Sequence, residues 1–192
     1  GTGCVGTAGG MSEPGSARVT RTFLPSFHCT YTGSSRKAYP NNKVIWQGVY
    51  GQYRAGYNNF NTGTLWFDEA SAALAGKTVH QATLSLRRSN GGSSAARNVY
   101  LGAVALRQAD WDSTYRPAFT APTALPAYPA GQLSRECEGV YDITSLMAAV
   151  QQGYGIGVYE PCAAYSGSYS PHYTMFYGLG SDFVPVLTVT YS

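Results

Sequence analysis

The chain has 192 residues, with 23 Gly, 10 Pro, 16 Tyr and only 12% charged residues. That length holds one substantial core, and that composition is poor in helix formers and rich in strand and turn formers, which points to an all-β protein. The formal charge of +3 arises from 13 Lys and Arg against 10 Asp and Glu. No basic run exceeds a pair (Arg36-Lys37, Arg87-Arg88), so no nucleic-acid partner is expected, and no apolar run approaches the ~20 residues of a membrane helix, so no membrane insertion is expected either.

Residues 1–40 are dense in Gly, Ser, Thr and Pro and lack apolar periodicity, which predicts an irregular N-terminal arm ahead of a single β domain over residues 41–192. Within the arm, residues 18–24 have the composition of one edge strand. An arm of this kind suits packing against other subunits. The four cysteines, Cys4, Cys29, Cys137 and Cys162, fall into two pairs, each spaced by 25 residues, unlike a metal knuckle. Three pairings are formally possible, and four reduced, buried thiols are the alternative. Cys4 with Cys29 and Cys137 with Cys162 is favoured, because each bond staples a neighbouring segment and the composition suits an extracellular protein.

Residues 43–67 carry an aromatic pattern that fits two strands flanking an Asn-rich excursion, with Trp46 and Trp66 expected in the core. Residues 70–75 read as a short helix, capped by Asp68 and ended by Gly76 in the left-handed conformation. Residues 77–106 then read as a β-hairpin. Ala82, Leu84 and Leu86 alternate with polar residues, residues 89–94 supply a turn, and Val99, Leu101, Ala103 and Ala105 return. Pro117, Pro122, Pro126 and Pro129 mark a surface connection. Residues 142–153 have a capping Asp142, an apolar stripe at Ile143, Leu146, Met147 and Val150, and a terminal glycine, and so predict a helix. Strands are expected over residues 155–159, 174–178 and 184–191, with glycines in the first of them that let another backbone or ring approach closely.

Catalysis needs a nucleophile or a metal with partners. His28, His80 and His172 are far apart and lie in no recognisable motif, so no catalytic residue, metal site or cofactor is expected. Asp110-Trp111-Asp112 and the pair Glu136 and Glu138 fit a solvated turn and a polar strand face better than a catalytic or Ca²⁺ site. The tyrosines are the feature that points to a function. Residues 161–173 mix Tyr with Ser, Gly and Ala, as recognition surfaces do, and such rings suit the apolar faces of sugars. Tyr165, Tyr169, His172 and Tyr173 are therefore the candidate ligand-binding residues, with Tyr53 and Tyr57 of the excursion as a second set.

Three segments together resemble a known module. They are Trp46-Gln47-Gly48-x-Tyr50, then Gly63-x-Leu65-Trp66-Phe67, then Leu74-x-Gly76-Lys77-Thr78-Val79-x-x-Ala82-x-Leu84-x-Leu86-x-Arg88 with Gly91-Gly92. The chain is similar, over about residues 44–192, to the C-terminal β-sandwich module of tail-fibre and minor tail proteins of phages that infect Gram-positive, especially actinobacterial, hosts. The resemblance implies a β-sandwich of jelly-roll type, with roughly eight to ten strands and one short helix. It also implies a virion or extracellular, non-enzymatic protein that touches a host cell-surface glycan or other envelope component and packs with other virion subunits, as a homo-oligomer and commonly a trimer. Two other readings stay open: a decoration subunit without a ligand, and a secreted carbohydrate-binding module.

Overall fold

The computed structural model describes residues 17–32, 38–40, 43–49, 60–111, 123–124, 132–158 and 172–192. Among them are twelve strands: β1 (Val19–Phe23), β2 (Phe27–Thr32), β3 (Ala38–Pro40), β4 (Val44–Val49), β5 (Phe60–Trp66), β6 (Val79–Gly92), β7 (Tyr100–Arg107), β8 (Thr123–Ala124), β9 (Glu138–Asp142), β10 (Tyr154–Val158), β11 (His172–Tyr177) and β12 (Val186–Tyr191). Two short helices, α1 (Asp68–Ala73) and α2 (Met147–Gln151), accompany them. Every strand pairing is antiparallel, and the fold is all-β.

β6 joins the two parts of the fold. Its first half alternates as the sequence predicts, with Ala82, Leu84 and Leu86 buried and Thr83, Ser85 and Arg87 half-buried. This half lies between β12, where Leu84 faces Leu187, and β9, where Leu84 faces Tyr141. β1 pairs with the far edge of β12. Beyond Arg87 the strand changes partner, and Arg88 and Gly92 pair with Phe176 and Thr174 of β11. The second sheet then runs from β11 through β4, β5, β10 and β7 to β8. β5 is paired along both edges: residues 61–66 bond β2, while residues 60–62 bond β4 and residues 63–65 bond β10.

The two sheets share one core. Leu84, Leu86, Tyr141, Leu187 and Val189 come from the first sheet and Ile45, Leu65, Ile156, Val158 and Phe176 from the second, all fully buried. Each such aliphatic or Phe side chain contributes about 1.5–3 kcal/mol relative to exposure. The helices add Ala70, Met147 and Val150 to this core. They are tied to each other by the Ser71 hydroxyl, which donates to the Val150 carbonyl at 2.6 Å.

The local signals around the helices hold in part. Gly76 has φ 71° and Gly153 φ 86°, the left-handed ends expected of both helices. Asp142 Oδ1 accepts from the Thr144 amide at 2.9 Å, so the chain turns where the sequence places a helix, but it does so as a 3-10 turn at Thr144–Leu146, and α2 itself covers only Met147–Gln151. Asp68 does not cap α1. It is the first helical residue, and its amide donates instead to the Ser26 hydroxyl at 3.1 Å, a cap supplied from distant sequence.

Three other expectations are corrected. The hairpin does not form: its two arms are strands β6 and β7, but β6 pairs with β12, β9 and β11, and β7 with β10 and β8. The expected turn is the last part of β6, where Gly92 at φ 82° pairs with Thr174. The irregular arm is also shorter than its composition suggests, since β1, β2 and β3 all belong to the sheets. Finally, Cys29 is a free thiol and is not bonded to Cys4. It is 1% exposed on β2, within a second, smaller cluster formed with Tyr31 and Trp66 and flanked by Phe27, Leu106 and Trp111. Cys137 is disulfide-bonded, and its partner is outside the described residues.

Candidate binding face

β11 presents two different faces because its side chains alternate. Thr174 and Phe176 are buried, while Tyr173, Met175 and Tyr177 are half-buried on the opposite face. Those three residues span roughly 13 Å at the usual strand rise. On the neighbouring strand Trp46 lies opposite Met175 and so shares this face, where its ring stacks on Tyr173 with centroids 5.1 Å apart and planes 12° apart. At the other end, Phe183 packs against Tyr177 at 5.1 Å and is 41% exposed. Trp46, Tyr173, Met175, Tyr177 and Phe183 thus form one strip. Gly91 of β6 borders it, and a Cβ there would overlap the Met175 sulfur.

Charged groups close the Phe183 end. The Arg87 guanidinium lies over the Phe183 ring, with Cζ 4.1 Å from its centroid. The Tyr177 hydroxyl donates to Glu136 Oε1 at 2.9 Å, and this bond to a carboxylate, ahead of burial, raises the phenol above its ordinary range. Glu136 has φ 59° and is the one non-glycine residue with positive φ among those described. Its backbone is held by β6: the Glu136 amide donates to the Arg88 carbonyl at 3.0 Å, and the Arg88 amide donates to the Cys137 carbonyl at 2.9 Å.

Of the candidate ligand-binding residues, Tyr173 lies on this strip. The His172 backbone is in β11 opposite Val49. The side chain of His172, and Tyr165, Tyr169, Tyr53 and Tyr57, lie outside the described residues. Trp46 was expected in the core but is only half-buried, whereas Trp66 is fully buried as expected. Residue patterns alone did not single out Trp46, Phe183, Arg87 or Glu136 for this surface. The alternation of Tyr173, Met175 and Tyr177 was the available signal, since it marks a strand with large rings on a single face.

The remaining polar candidates are dispersed. His28 is buried and its Nε2 accepts from the Leu179 amide at 3.0 Å, while His80 Nε2 lies 2.7 Å from the Ser192 hydroxyl. Trp111 packs edge-on to Phe27 at 5.2 Å, beside an exposed Asp110. Among the described residues no group of three His, Cys, Asp or Glu is placed to hold a metal ion. No family model matches the chain, and no curated protein matches it.

Proposed function

We propose that the chain is a non-enzymatic phage virion module, a tail-fibre or minor tail domain, that binds a host-surface glycan through the outward face of β11. The observation that carries this reading is the strip of Trp46, Tyr173, Tyr177 and Phe183, partly open to solvent and bordered by Arg87 and Glu136. Exposed aromatic surface of this kind accepts the apolar faces of sugars, and charged groups beside it take up hydroxyls. The phage setting, the jelly-roll winding, the extracellular location, the trimer and the contacts with other virion subunits rest on the sequence resemblance. A bond from Cys137 to Cys162 belongs to the same proposal.

Binding of the labelled chain to actinobacterial cells, and to polysaccharide extracted from them, tests it. Anchors of this kind cost ~1–3 kcal/mol when truncated, so Trp46→Ala and Tyr173→Ala are each expected to weaken binding about tenfold or more. Their melting temperatures should stay close to that of the parent. Unchanged binding in both variants would misplace the site. Loss of self-association in place of loss of binding would make the strip an assembly contact and favour a decoration subunit.

A further inference from the structure

The Phe183 end of the strip combines a donor-only group with an acceptor-only group. The Arg87 side chain is 34% exposed and that of Glu136 43%, and Arg87 Nε stands 3.9 Å from Glu136 Oε2. That separation exceeds the ~3.2 Å limit of an N–H···O hydrogen bond. Arg87 is instead oriented by its stacking on Phe183, and its buried Nε has no hydrogen-bond partner. Glu136 is oriented by the Tyr177 hydroxyl and by a left-handed backbone clamped to β6. A left-handed conformation costs a glutamate of order 1–3 kcal/mol and persists where its surroundings over-determine it.

We infer that this end of the strip is a subsite for a neutral sugar, read by a hydroxyl pair that donates to the Glu136 carboxylate and accepts from the Arg87 guanidinium. The inference rests on the glycan-binding reading and adds the class of sugar. A carboxylate can only accept and a guanidinium can only donate, so a ligand that uses both must itself do both, as vicinal hydroxyls do. A carboxylate or phosphate ligand would satisfy Arg87 but would be set against Glu136. Tyr177 serves as a positioning residue, because its hydroxyl holds Oε1 and aims the carboxylate.

A glycan array carrying neutral oligosaccharides alongside uronic-acid and sialic-acid oligosaccharides, probed with the full chain, tests the inference, and the strongest neutral probe is then titrated into Glu136→Gln, Arg87→Gln and Trp46→Ala. The expected result is binding to neutral probes, with Glu136→Gln and Arg87→Gln each weaker by about tenfold and circular dichroism unchanged in Glu136→Gln. Preference for the acidic probes would overturn the inference. So would affinities within about twofold of the parent for both charge variants while Trp46→Ala still weakens binding, a result that leaves the glycan reading standing. An array with no bound glycan of either class overturns both.

Discussion

Arg88 is fully buried, and among the described residues no carboxylate pairs with it. Its guanidinium donates instead to backbone carbonyls, those of Ala95 at 2.8 Å, Leu133 at 2.7 Å, and Ser93. Burial, followed by the charges of Arg135 and Arg97, brings its pKa down to about 10, still charged at neutral pH. One side chain thus ties two loop segments to β6, just where the strand changes sheets. Cys29 shows the opposite side of burial, since loss of solvent pushes its thiol from 9.0 up to about 12. Below pH 9 the thiol is protonated in both the folded and the unfolded chain, so its stabilising contribution is fully present there. Between about 9 and 12 the unfolded chain releases the proton and the folded chain keeps it, so stability falls as pH rises, by up to about 1.4 kcal/mol per pH unit. Tyr141, raised by burial, adds to the same trend at higher pH. Urea midpoints measured from pH 8 to 10, ahead of the range in which loss of the Arg88 proton from the fold acts in the opposite sense, are expected to decline, and Cys29→Ala should flatten the decline. An equal slope in that variant would refute the assignment to Cys29.

At the scale of elements, Gly92 decides whether β6 can pair with β11. Its φ is 82°, and a Cβ there would overlap the Tyr173 carbonyl. Gly92→Ala is therefore expected to cost about 3 kcal/mol, combining backbone strain with the displacement of β11. A urea-midpoint shift much smaller than that would show that the strands separate there at little cost. The variant should also disturb Tyr173 and with it the Trp46 stack, so glycan binding should weaken together with stability. This position explains why the sequence was misleading. Ser89-Asn90-Gly91-Gly92 has the composition of a hairpin turn, yet here the glycines admit close neighbours along a continuing strand. Alternation and strand-forming composition located β6, β7, β10, β11 and β12, because such signals are local. It did not locate their partners, because pairing depends on which apolar faces meet across the core, and such contacts join residues as distant as Leu84 and Leu187. The same limit applied to the arm, where β2 owes its place to β5, with Cys29 opposite Thr64.

For the whole molecule, the strip is a product of the second sheet's assembly. Trp46 and Tyr173 are 127 positions apart and meet because β4 and β11 are neighbours in that sheet. A reading confined to the 161–173 loop therefore reached Tyr173 alone among the strip residues. The sheets that build this face unfold together if β6 and the common core couple them, since neither sheet can leave without exposing Leu84, Leu86 and Phe176. The three tryptophans supply a one-sided probe: Trp46 and Trp66 lie on β4 and β5, and Trp111 packs with Phe27 of β2. Their fluorescence follows the second sheet, whereas far-UV circular dichroism follows both. The two signals are expected to give one midpoint in urea, without reductant so that the Cys137 disulfide stays intact. A dichroism transition lagging behind the fluorescence would mean that β1, β12, β9 and the first half of β6 survive alone. In that case β6 would be a hinge between two separable sheets, and the binding face would be free to melt without the rest of the fold.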